Sequence, residues 1–158
     1  IRQQNPKYVM KSSQRAHTEG KRDELTLVRD AFERLSRTSD VHVACNVPLL
    51  GRCVDMLYMK GEAVFSIEFK LRDWKRAIKQ ARDHKLAADY AYVCLPKRKD
   101  VTNLLPAFRA HGIGLLFFDD DGDWPFEVVE EAPRSGETWT VARHEIGELL
   151  KERDGSWM

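Results

Sequence analysis

Asp55, Glu68 and Lys70 are the residues of this chain whose types and spacing could do chemistry together. Two carboxylates beside an ammonium offer oxygen donors to a hard cation and a fixed positive charge next to it. Residues 64–70, Val-Phe-Ser-Ile-Glu-Phe-Lys, read as a strand whose side chains alternate between faces. One face carries Phe65, Ile67 and Phe69. The other carries Val64, Ser66, Glu68 and Lys70, so the strand is expected to be half-buried. Residues 54–59 read as a second strand, and Lys60-Gly61-Glu62 as the turn between the two. Pairing them as a hairpin brings Asp55 near Glu68 and Lys70.

The elements that must position this cluster follow from periodicity. From Asp23 onward, Leu25, Val28, Ala31, Phe32 and Leu35 form an amphipathic helical stripe, with Glu24 at its start. Residues 41–47 alternate as a strand, and residues 48–52 turn or bulge, since Pro48 cannot donate to a ladder. Asp73 suits the N-cap of a helix running to about Lys85. Trp74, Ala77, Ile78 and Ala81 form its buried stripe. Lys75, Lys79 and Arg82 line one exposed side, and Arg76, Gln80 and Asp83 another. A strand over 91–95 follows, then a helix over 102–110 ended by Gly112. Residues 113–118 are apolar enough for a strand buried on both faces. An edge strand over 126–129 and a helix over 141–153 complete the chain. Helices alternating with strands place it in the α/β class. The expected divisions are a basic lead-in at 1–22, a core at 23–132, and a linker with a C-terminal helix packed on the core at 133–158.

Bulk properties narrow the function classes. At 158 residues, 42% hydrophobic and 32% charged, the chain is long enough for a core and ordinary for a globular protein. No apolar run is long enough for a membrane-spanning helix, and no signal-peptide pattern opens the sequence, which starts at Ile1 rather than methionine. Cys45, Cys53 and Cys94 are odd in number and lack metal-ligand spacing. They are expected to be buried free thiols, which fits a reducing, cytoplasmic setting. Residues 72–100 hold nine Lys/Arg against four Asp, and residues 119–158 hold twelve acids against four bases. Such separation permits an anionic ligand on one side while net charge stays near zero. Two motifs lead nowhere. Asp119, Asp121 and Asp123 open like a calcium loop, but Trp124 stands where its glycine should be, leaving an acidic turn. His144-Glu145 begins a zinc motif whose second histidine is Glu148.

Asp55 on one strand, Glu68-Phe69-Lys70 on the next and Gln80 on the following helix form an ordered set, with Glu24 on the helix before. This set resembles the PD-(D/E)XK nuclease superfamily, the restriction-endonuclease-like fold, over roughly residues 23–118. The nearest flavour is the compact Holliday-junction-resolvase or repair-nuclease type. Val54 stands where that superfamily often has proline. The resemblance implies a central mixed sheet flanked by helices in αβββαβ order, here with a C-terminal strand and helix extension.

It also implies chemistry. Asp55, Glu68 and the Phe69 backbone carbonyl would hold Mg²⁺, with Mn²⁺ as an alternative, and the cation would polarise a phosphodiester. Lys70 would orient the attacking water or neutralise the developing charge. Glu24 and Gln80 would complete the catalytic set. Lys75, Arg76, Lys79 and Arg82 would track a nucleic-acid backbone, most simply that of DNA. A homodimer is compatible with cutting two strands. Two other readings stand beside the enzyme: a non-catalytic nucleic-acid-binding module of the same fold, and an interaction protein docking through its acidic C-terminal part.

Overall fold

The computed structural model of the chain describes residues 23–153. The basic lead-in expected at 1–22 and the last five residues lie outside them. The elements run α1 (Glu24–Ser36), β1 (Val41–Leu49), β2 (Arg52–Lys60), β3 (Ala63–Phe69), α2 (Trp74–His84), β4 (Tyr90–Leu95), α3 (Leu105–His111), β5 (Gly114–Phe118), β6 (Phe126–Glu130) and α4 (Thr140–Arg153). The strands form one sheet in sequence order. β1, β2 and β3 are an antiparallel meander. β3, β4 and β5 are parallel, with α2 and α3 as their crossovers. β6 returns antiparallel at the far edge. This is the expected α/β class, a mixed sheet flanked by helices; the αβββαβ order ends at β4, and two helices and two strands follow it (α3, β5, β6 and α4) where a single strand and helix are expected. No helix among the described residues is long and apolar enough to cross a membrane.

Local chemistry explains the element ends. The Asp23 carboxylate caps α1 by accepting from the Thr26 amide at 2.8 Å, and Asp73 caps α2 by accepting from the Arg76 amide. The inward face of α1 is Leu27, Val28, Ala31, Phe32 and Leu35; Leu25, expected in that stripe, is 60% exposed. Both leucines satisfy the three- and four-residue spacing, and packing against the sheet selects Leu27. Pro48 does not end β1. It stays in the edge strand opposite Cys53, and the turn is made by Leu50 and Gly51, both at positive φ. Gly112 closes α3 in the left-handed conformation.

The sheet is covered on both faces. α1 packs on Tyr58, Ile67, Phe69 and their neighbours. On the other face α2 and α3 cover Val93, Leu95, Leu115 and Phe117, while Ile146 and Leu150 of α4 cover Leu57, Met59 and Val64. β3 is therefore not half-buried: Val64, Ser66, Ile67, Glu68 and Phe69 are all buried. Among the cysteines, Cys45 and Cys94 are buried thiols, but Cys53 is exposed, because it lies near the tip of the β1–β2 hairpin. The acidic turn after β5 is held by buried Arg34 of α1, which donates to the carbonyls of Asp119 and Gly122 and lies 5.0 Å over the Phe118 ring.

Candidate functional site

The cluster is built where β2 and β3 part. Their ladder runs from Lys60↔Ala63 to Met56↔Ile67. Asp55 is the next residue of β2, and its Oδ2 accepts from the Phe69 amide at 2.9 Å. Across β2, Asn46 of β1 takes a positive φ of 54° and drops out of the β1 ladder between Cys45↔Met56 and Val47↔Val54. The ribbon is thus irregular at Asp55, and a side chain in place of a ladder partner meets the β3 backbone.

Glu68 is 5% exposed and lies close enough to half-buried Asp55 for the two carboxyls to perturb each other. Burial pushes Glu68 up to about 8; the Asp55 charge adds to the rise, and Lys70 opposes it. Burial likewise raises Asp55, against the Phe69 amide hydrogen bond that lowers it. Two carboxyls this close cannot both shed their protons cheaply without a compensating positive charge. Half-buried Lys70 supplies some of it, since its charge acts on both acids. Glu24 arrives from the first turn of α1, where its Oε2 accepts from the Leu71 amide at 3.1 Å. Its charge also acts on both acids. The structure therefore brings Glu24, Asp55, Glu68 and Lys70 together at the carboxyl-terminal end of β3.

The α2 residues divide differently from the helical-wheel expectation. Arg76, Lys79, Gln80, Arg82 and Asp83 all line one cleft of about 790 Å³, joined by Arg52 of β2 and Lys85. Lys75 stands apart, its Nζ 5.6 Å over the Trp74 ring. Trp74 itself stacks on Phe108 in the core. Arg52 pairs with Asp83 at 3.4 Å and Lys85 with Glu137 at 3.0 Å, whereas Arg76, Lys79 and Arg82 have no carboxylate within 4.0 Å among the described residues. Gln80 is half-buried with its Oε1 enclosed and without a hydrogen-bond partner. Phe69, whose backbone carbonyl the resemblance assigns to the cation, is fully buried at the end of β3, and the contact it makes to the cluster is its amide donating to Asp55.

One residue escaped the sequence reading. His84 is buried, with its Nε2 3.9 Å from Glu68 Oε1. Burial lowers its pKa to about 4, so the imidazole is neutral at ordinary pH. The signal was available: three residues past Ala81, His84 is the next position of the buried α2 stripe.

A divalent cation fits this donor set. Mg²⁺ is commonly held by one or two carboxylates together with water and phosphate oxygens. Asp55 and Glu68 provide the carboxylates, and Glu68 Oε1 is buried without a hydrogen-bond partner. Among the described residues no three His, Cys, Asp or Glu side chains form an all-protein cage.

Comparison with protein-family models and with curated proteins returned no match. Among solved structures, a protein of unknown function from Silicibacter pomeroyi superposes with a TM-score of 0.57 at 19% identity, covering 85% of each chain. The two chains share a fold, and the likeness extends no further than that.

Proposed function

We propose that the chain is a divalent-cation-dependent nuclease that hydrolyses DNA phosphodiesters. The observation that carries this reading is the Asp55–Glu68 carboxyl pair: both raised in pKa by burial, Glu68 with an enclosed oxygen lacking a hydrogen-bond partner, and Lys70 acting on both. A protein keeps such a pair at a sheet end when something positive is to be bound there. Asp55, Glu68 and the Phe69 carbonyl would hold Mg²⁺ or Mn²⁺, which would supply positive charge for a phosphoryl group and a bound water. Lys70 places its ammonium to orient that water or to offset charge developing on phosphorus. Glu24 braces the chain after β3 through the Leu71 amide and adds a third carboxylate at the rim. Gln80 lines the basic cleft with Arg76, Lys79 and Arg82, which hold the phosphate backbone there.

The decisive experiment is cleavage of branched, nicked and linear DNA with Mg²⁺ or Mn²⁺, against the same reaction in EDTA. The reading expects cation-dependent products that vanish in Asp55→Asn and Lys70→Ala. Cleavage undiminished in both variants would reject the site. The three unpaired α2 cations also suit a second reading, a binding module without catalysis. That reading expects salt-sensitive DNA binding and no cleavage with any cation.

A further inference from the structure

Buried polar side-chain atoms without hydrogen-bond partners gather along the seam between β3 and α2. They are Ser66 Oγ, Glu68 Oε1, Gln80 Oε1 and His84 Nδ1. Ser66 and Glu68 share the sheet face that α2 covers, since their register partners on β4, Ala91 and Val93, pack beneath that helix. Each such atom costs about 1–3 kcal/mol when left unsatisfied, so a group of them at one seam calls for a reason. Across the seam, His84 Nε2 lies 3.9 Å from Glu68 Oε1.

We infer that His84 is a positioning residue of the acid pair, orienting Glu68 from beneath and so setting how tightly the pair holds a divalent cation. This rests on the reading of Asp55 and Glu68 as cation ligands. A carboxylate that gives one oxygen to a cation is fixed in direction only when its other oxygen meets a donor. The imidazole faces Oε1 with Nε2 and is locked by burial on α2, one turn beyond Gln80. An imidazole offers a ring N–H for that purpose from a fixed, buried position. Outer partners of this kind are typically worth about 10–100-fold in metal affinity.

The test is calorimetric titration of the full chain with Mn²⁺ in the absence of DNA. Wild type binds and Asp55→Asn does not. His84→Leu, which keeps the bulk but removes the ring nitrogens, weakens binding about 10–100-fold while the cation-free thermal midpoint holds or rises. His84→Gln, which restores a donor, recovers part of the loss. A folded His84→Leu with wild-type Mn²⁺ affinity overturns the inference and leaves the nuclease reading standing. A wild type without Mn²⁺ affinity, or an Asp55→Asn that binds as wild type does, overturns both. Should His84→Leu fail to fold, the imidazole resonances of wild type decide: saturating Mg²⁺ shifts them if His84 orients Glu68, and unmoved resonances reject the inference.

Discussion

Two buried carboxylates sit at opposite ends of β3, and the protein treats them in opposite ways. Asp89, just ahead of β4, is surrounded by donors. Its Oδ2 accepts from the Val64 amide at 2.8 Å and from Arg143 Nε at 3.1 Å, and its Oδ1 lies 3.6 Å from Arg134. It ties the start of β3 to α4 and to the segment before it. Glu68, five residues along β3, is as buried, yet its Oε1 has no hydrogen-bond partner, the charge of another acid, Asp55, acts on it, and its pKa is raised. Burying a charge is tolerable when partners compensate it, and Asp89 shows that this fold can supply them. Where compensation is missing, the arrangement serves something other than stability.

Substitutions at the two carboxylates separate their roles. The largest effect is expected from Asp55→Asn or Lys70→Ala, which should lower cation-dependent cleavage by about 10³-fold or more with urea midpoints near wild type. An equal loss of fold and activity would erase the contrast. Asp89→Ala should do the reverse. It leaves Arg143 Nε and the Val64 amide without their acceptor and costs about 3 kcal/mol in urea denaturation, while the folded fraction keeps its cleavage rate.

The acid end should also show itself through pH. Because the folded state holds Glu68's proton more tightly than the unfolded chain does, that contribution is complete below the ordinary 4.5 and is lost as pH rises through about 8. In EDTA, Glu68→Gln should therefore gain on wild type across that window, by on the order of 1–3 kcal/mol at its upper end, read from thermal midpoints. A difference that is flat with pH would mean Glu68 is already compensated, as Asp89 is. Smaller again is the cleft. Replacing Arg76, Lys79 and Arg82 together with alanine should reduce the slope of log affinity against log salt by up to about 3. Lys75→Ala, outside the cleft, should leave that slope within error.

The sequence carried the acid cluster for a local reason. Asp55, Glu68 and Lys70 lie on one hairpin, where alternation and a short turn leave few arrangements. Helical periodicity likewise placed the Asp73 cap and the inner stripe of α2. What periodicity could not do was choose between equivalent spacings. Leu25 and Leu27 both continue the α1 stripe, and the sheet decides between them. Nor could alternation tell that β3 is buried on both faces, because that depends on α2 and α4 arriving from far along the chain. The same long-range packing brings His84 to Glu68 and merges two sides of α2 into one cleft. Cys53 looked buried because its neighbours are apolar, and the hairpin tip that exposes it is a tertiary fact.

The two backbone contacts that frame the site differ in how far the chain must travel to make them. Fourteen positions separate Asp55 from the Phe69 amide it holds, and forty-seven separate Glu24 from that of Leu71. Closing the longer loop costs about 1 kcal/mol more chain entropy. In folding, the acid pair is accordingly expected to assemble with its hairpin, before α1 docks and delivers Glu24. Any species that fluctuates open at α1 would keep Asp55 and Glu68 together and lose Glu24 first, so the acid pair is the oldest part of this cluster in folding time.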